Sequence, residues 1–493
     1  MRVDGFDEII RKCRELSTGH DVYYLVRIQS RKDLSVHINN GRTEEISTAN
    51  LEGIGLQIIN SQGFMGFAAS DQVNAAILED LFAKALFLAE QSQSVAGESN
   101  REIFKLEPLC KRMEIPLRYP YTSLGLNQIE AKLMDLNREV GTYDSRLAIR
   151  TLLRLTDEEW RIGRSDGTDV SFNTPRSFVF HSITAKEGSE TATTYANLPG
   201  TDLEVIIEPE KLTRLKKRAK KAATLATNLL TAGKIPGGHY KMVIDYALAK
   251  GLAHEAFRHA AETDNLESSI LGEQGRFKTG MIVADSRLSI VDGPVEGDYA
   301  YQPISAVGVE RRTVTIVDHG RLQNGLADIF SAAGAGVPPT GAERVESVFQ
   351  LPIARMTNIR ITMDDPLPLK QEFETVTPAD LYRILQENKL IQPGETVLYL
   401  SGFHGGQVNP AFGDFVFHCS GIYTLGPEPV LYKPAIFSGK ILSVLKSVSA
   451  AIGEPRIDAM GTCGKMGQSV PSCGGAHEFL LIESNSDVMI GGE

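Results

Sequence analysis

The stretch from Val243 to Glu267 constrains this chain more than any other, because its chemistry and its helical geometry pull apart. A short apolar run ends at Ile244, Asp245 supplies a residue type that caps helix N-termini, and a helical stretch begins. On it stand His254, Glu255 and His259, reading His-Glu-x-x-x-His. Two imidazoles and a carboxylate this close are the parts of a zinc hydrolase, nitrogen ligands plus a base for water. The common zincin signature spaces its histidines four apart, whereas these stand five apart. At about 100° per residue the second ring then points roughly 140° away from the first, so an ideal α-helix cannot offer both to one ion. A π-bulge, with its i→i+5 hydrogen bond, returns residues five apart to one face. A metal site here therefore requires a wide turn or a break near Ala256–Arg258. Without a metal the two histidines are a satisfied polar patch, and the stretch alone leaves both readings open.

A second stretch bears on the choice. Near the C-terminus the chain reads Met460-Gly461-Thr462-Cys463-Gly464-Lys465-Met466-Gly467-Gln468. Cys463 sits between Gly461 and Gly464, on backbone that can approach an ion closely. A thiolate is a good third zinc ligand beside two imidazoles, and the neighbouring Lys465 is placed to keep it ionised. The alternative is a buried free thiol.

The run His254-Glu255-Ala256-Phe257-Arg258-His259, followed by Glu262 and Asp264, resembles the helix of the TldD/PmbA family of metallopeptidases. Arg355-Met356-Thr357-Asn358, Gly405-Gly406-Gln407-Val408, Gly413-Asp414-Phe415 and Cys463-Gly464-Lys465-x-Gly467-Gln468 are similar to its other motifs, in the same order. The early stretch Ser35–Ala69, with its Asn-Gly turn, looks like the family's N-terminal part, so the resemblance spans nearly the whole chain. It implies His254, His259 and Cys463 as zinc ligands and Glu255 as the catalytic carboxylate. The family contains subunits with and without this ligand set, and this chain resembles the ligand-bearing, TldD-like kind. The implied activity is zinc-dependent cleavage of unfolded or short peptides, within a homodimer or a heterodimer with a metal-free PmbA-like paralogue.

Three positions depart from the family's pattern and bear on substrate preference. Arg258 stands where glycine usually precedes the second histidine, Asn409 where an acid is common, and Cys473 where an aliphatic residue is usual. Candidate substrate contacts are His404, Arg355, Asn358 and Arg258; Arg355 and Asn358 equally suit a fold-stabilising hydrogen-bond network, and His404 a plain loop histidine. Glycine-rich loops at 402–406 and 461–464 offer backbone groups to an extended peptide by strand addition, or are simple turns. Two other functions compete: a cysteine hydrolase using Cys463 with a histidine, and a non-catalytic peptide-binding or regulatory subunit with a structural metal.

Composition narrows the partners. A net charge of −11 argues against nucleic acid, whose binding is dominated by basic contacts to phosphate. The one basic run, Lys211 to Lys221, lies in a helical segment and reads as a solvated helix face. No apolar run approaches the roughly 18 residues that span a bilayer, and acids stand where a signal peptide needs a basic and then an apolar stretch. A cytoplasmic protein is expected, in which five widely spaced cysteines form no disulfide framework.

The class expected is α+β: an N-terminal antiparallel sheet with helices, linked to a C-terminal β-rich domain that carries the metal-binding helix. The divisions expected are an α/β unit at 1–95, a central α+β meander and helix at 96–230, and a metallopeptidase domain at 231–493. Strands are expected at Val22–Ile28 and Leu34–Ile38, followed by a turn at Asn39-Asn40-Gly41. Punctuating residues at 231–238 mark the linker.

Overall fold

A computed structural model describes residues 6–95 and 100–491, with the backbone alone at Ala256 and Arg258. The first sheet grows from two long strands, β1 (Val22–Asn39) and β2 (Arg42–Asn60), paired in antiparallel register from Val22↔Asn60 to Asn39↔Arg42. The turn between them holds Asn40 at φ 47° and Gly41 at φ 70°, the left-handed pair that a two-residue hairpin needs. β1 is one strand rather than the two expected. Arg31, Lys32 and Asp33 interrupt its apolar run, yet they are paired with β2 on one side and with β5 (Leu147–Arg164) on the other. Ladder hydrogen bonds on both edges carry the extended backbone through three charged residues.

β3 (Met65–Ser70), β4 (Cys110–Met113), β6 (Asp169–Asn173), β7 (Arg176–Glu187) and β8 (Glu190–Gly200) complete an eight-stranded sheet. β4 runs parallel to β6, so the sheet is mixed where an antiparallel one was expected. Helices α1 (Phe6–Ser17) and α2 (Leu78–Val95) bury Phe6, Ile9, Leu81 and Phe82 against Tyr24, Val26 and Leu56.

The basic helix, Pro209–Leu229, lays Ala219, Ala222, Ala223 and Ala226 on the ends of β5, β7 and β8. Its charges do not simply face water. Lys216 pairs with Glu139, Lys217 with Glu372, and Arg218 with Glu374 and Asp458. Lys217 and Arg218 thus tie the first sheet to the C-terminal part, because acids from 372–374 and 458 meet them there.

The second sheet has eleven strands. At its centre β9 (Lys241–Asp245), buried throughout, runs parallel to Val397–Ser401 and antiparallel to the long strand Gln468–Ile482. Gln468–Ile482 also pairs in parallel with Asn358–Met363. A separate four-stranded sheet contains Gly406–Asn409 and Asp414–His418. The class is α+β, with the metal-ligand helix at the carboxyl end of β9. No helix among the described residues is long and apolar enough to cross a membrane.

Candidate metal centre

β9 delivers Asp245 to the start of the helix, where its carboxylate accepts hydrogen bonds from the amides of Ala247 and Leu248 at 3.1 and 3.0 Å. This is the N-cap that the sequence predicts. The helix runs as an α-helix over Tyr246–Gly251, widens to a π-helix over Leu252–Arg258, and tightens again at His259–Ala261. The wide turn that the five-residue spacing requires is therefore present. It brings the rings of His254 and His259 to a centroid separation of 5.8 Å with their planes at 79°. His254 is buried and its Nε2 lies 3.5 Å from Glu255 Oε1.

Cys463 comes from the other end of the chain. It sits on a strand, Gly461–Lys465, rather than on the expected loop, in a hairpin with Gln468–Ile482. Met466 and Gly467 form the turn, at φ 49° and 72°. The hairpin carries Cys463 to the helix, where one ligand atom from each of His254, His259 and Cys463 lies within 4.8 Å of the others. Three atoms no farther apart than this share a centre at most about 2.8 Å from each, against zinc bonds of about 2.0–2.1 Å to nitrogen and 2.3 Å to sulfur. Two imidazoles and a thiol are also a zinc donor set, so the residues fit the ion.

The surroundings add carboxylates and a second cation to the site. The nearest hydrogen-bond partners of Lys465 are carboxylates: its Nζ lies 2.9 Å from Glu262 Oε2 and 2.6 Å from Asp264 Oδ1. The cation against the sulfur is Arg355, wholly buried, whose Nε donates to Cys463 Sγ at 3.3 Å and whose Nη2 donates to the Cys463 carbonyl. Glu262, buried, also lies 3.2 Å from His259 Nδ1. Burial raises the Asp264 carboxyl above its ordinary value despite the ammonium beside it.

Glu255 and His259 open onto a surface groove of about 500 Å³, whose far wall is Gly406–Val408 and whose near wall includes Gly464 and Lys465. The candidate substrate contacts are distributed otherwise. Arg355 and Asn358 are fully buried, Asn358 donating to the Ile457 carbonyl at 3.1 Å. His404 lines a different cavity and packs against Tyr195 with ring centres 4.7 Å apart and planes at 46°. The Arg258 side chain lies outside the described residues. Cys473 is buried, and burial first, then the charge of Asp298, pushes its thiol well above the ordinary range. Sequence reasoning assigned no role to Glu262, although an acid three residues after His259 was the available signal; it stands just past the helix end, in extended backbone.

This arrangement, a wide-turned helix with two histidines meeting a cysteine hairpin above a groove, is a metallopeptidase-type centre. Profiles of the PmbA/TldA metallopeptidase family match residues 24–89 (domain 1), 119–230 (central domain) and 237–473 (C-terminal domain), and the chain belongs to that family. A metalloprotease of Methanothermobacter thermautotrophicus is 25% identical over 477 residues, 95% of each chain. A metalloprotease TldD homologue of Haemophilus influenzae is 27% identical over 461 residues, 92% of this chain and 89% of the other. The structure of TldE from Thermococcus kodakarensis shares the fold, with a TM-score of 0.74 at 15% identity over 99% of this chain and 100% of that one.

Proposed function

We propose that this chain is a zinc-dependent peptidase acting on unfolded or short peptides, with His254, His259 and Cys463 as the metal ligands. The observation that carries the reading is the convergence of those three side chains beside Glu255 at the floor of an open groove. A zinc ion held there supplies Lewis acidity, which acidifies water and polarises a peptide carbonyl. Glu255, three-quarters buried but open to the groove, takes the proton of the attacking water and passes it to the leaving amine. Among the described residues Gly406–Asn409 pairs only with Asp414–His418, and an extended peptide adds to its other edge along the groove.

A cysteine hydrolase is disfavoured because the Cys463 thiol is fully buried, held by Arg355 Nε and grouped with both imidazoles as one ligand set. The fold shared with TldE supports assembly as a homodimer or with a metal-free PmbA-like paralogue. Five cysteines that form no disulfide suit a cytoplasmic setting.

Glu255→Gln tests the mechanism. The variant should bind about one zinc per chain by elemental analysis and lose at least a hundredfold in peptide hydrolysis, within the range for a general base. Unchanged turnover with zinc retained would sink Glu255 as the base, and absence of zinc from the native protein would sink the whole reading.

A further inference from the structure

A second cavity, of about 530 Å³, lies where the end of β8, the basic helix and the carboxyl ends of β9 and Val397–Ser401 come together. Its size is that of a small-molecule site. Gly402 and His404 border it, while Gly406, two residues on, borders the metal groove, so one short loop separates the two hollows. Its walls are aromatic: Phe373, packed edge-on against Tyr246 at 5.0 Å, and Tyr195, packed against His404.

Of the cations that line this cavity, Lys217 is paired with Glu372 and Arg218 with Glu374 and Asp458, while Lys220 and Lys221 have no ion pair among the described residues. The acids that line it are Asp245 and Glu374. Both acids are already engaged. Glu374 receives Arg218 and Arg456, and Asp245 receives the amides of Ala247, Leu248 and Gly402. Lys221 has no hydrogen bond or ion pair among the described residues; its Nζ rests 4.8 Å from the centre of the Phe373 ring. Burial of this ammonium lowers its pKa, the cost that an anionic ligand would offset.

Two further polar atoms are buried without a hydrogen bond. One is His404 Nε2. The other is Tyr399 Oη, which makes no bond of normal geometry even with the Ser401 hydroxyl as neighbour. Burial and the neighbouring His418 hold His404 below the ordinary imidazole range, so at neutral pH it is an uncharged ring able to present one N–H. Buried polar groups are ordinarily satisfied, and here an unpaired ammonium, a phenol and an imidazole line one aromatic-walled hollow.

We propose that this cavity binds a small aromatic carboxylate, its ring among Phe373, Tyr195 and Tyr246 and its carboxylate received by Lys221, with Tyr399 and His404 as further donors. The site stands independently of the metal. It also gives the basic helix and His404 a use that the peptidase reading leaves them without.

Calorimetry on full-length protein dialysed free of metal tests it with N-acetylphenylalanine as the probe. The acid should bind saturably at one site per chain. N-acetylphenylalaninamide, which keeps the ring and loses the charge, and acetate, which keeps the charge and loses the ring, should each bind at least tenfold more weakly. Lys221→Met and Tyr399→Phe should weaken the acid by at least tenfold and fivefold respectively. Unfolding of each variant is followed in parallel, and the weakening should appear in protein that still unfolds in one cooperative transition. A tetrapeptide ending in phenylalanine separates the two sources of such a carboxylate: affinity equal to the acid's marks a peptide C-terminus, and weaker affinity marks a free acid. Absence of saturable binding, equal affinity for acid and amide, or undiminished binding by Lys221→Met overturns the proposal.

Discussion

His259 Nδ1 and Lys465 Nζ meet one oxygen of Glu262, at 3.2 and 2.9 Å. A carboxylate on one ring nitrogen fixes the tautomer, holds the ring and leaves the other nitrogen to the metal. Lys465, shared with Asp264, fixes the carboxylate in turn. Glu262→Gln keeps an acceptor oxygen but removes the charge that opposes Lys465, so zinc affinity should fall about ten- to a hundredfold. Chelator competition measures it, and an unchanged dissociation constant would rule out the orienting role. At this scale the sequence is legible where chemistry is local: His254, Glu255 and His259 declare themselves by type and spacing. The carboxylate partners of Lys465 were not legible, because they lie about two hundred positions away along the chain. Arg355 was left between a substrate contact and a structural hydrogen-bond network, since nothing in its own motif shows that it is buried against Cys463.

Among the elements, the helix and the hairpin carry the site, and they were unequally readable. The π-helical turn follows from arithmetic on the His254–His259 spacing, because only a wider turn lets both rings serve one ion. The hairpin was read as a loop because glycines at 461, 464 and 467 mask the alternation of a strand. Its register is set by Met466-Gly467, a turn in which both residues have positive φ. A Cβ at Gly467 would touch nothing within 4 Å, so Gly467→Ala costs conformational strain alone, about 1 kcal/mol. If that loosening falls on the strand holding Cys463, zinc binding weakens by roughly fivefold. Titration against a competing chelator should show this with little change in the unfolding midpoint of the metal-free protein. A normal zinc affinity in the variant would mean that the turn does not place the ligand.

Over the whole molecule, the two sheets are joined by a buried layer in which Ile304, Ala306, Val307, Ile329 and Val348 pack on Trp160, Ile162 and Phe172. Polar anchors cross the same seam: Arg27 donates to the Gln350 carbonyl, Arg164 to the Val307 carbonyl, and the Val348 amide to Gln29. None of this is legible in sequence, since the partners are separated by up to 323 positions and include backbone atoms. Behind the layer lies Glu343, fully buried, accepting the Ile329 amide while its backbone carbonyl accepts the Ala306 amide. Burial first, and then the charge of Asp328, raises its carboxyl from 4.5 to about 7. The folded state therefore holds this proton more tightly than the unfolded chain. The stability it contributes is complete below pH 4.5 and is lost as pH rises through about 7, a span of about 3 kcal/mol. Glu343→Gln retains an acceptor for Ile329 and cannot ionise, so the variant should gain on the native protein across that interval and hold a constant advantage above it. Denaturant unfolding of both proteins at pH 5, 6, 7 and 8 reads the difference directly; other titrating groups cancel in the comparison. A difference that stays flat with pH would show that Glu343 titrates as an ordinary carboxylate and that the seam between the sheets has no acid-sensitive support.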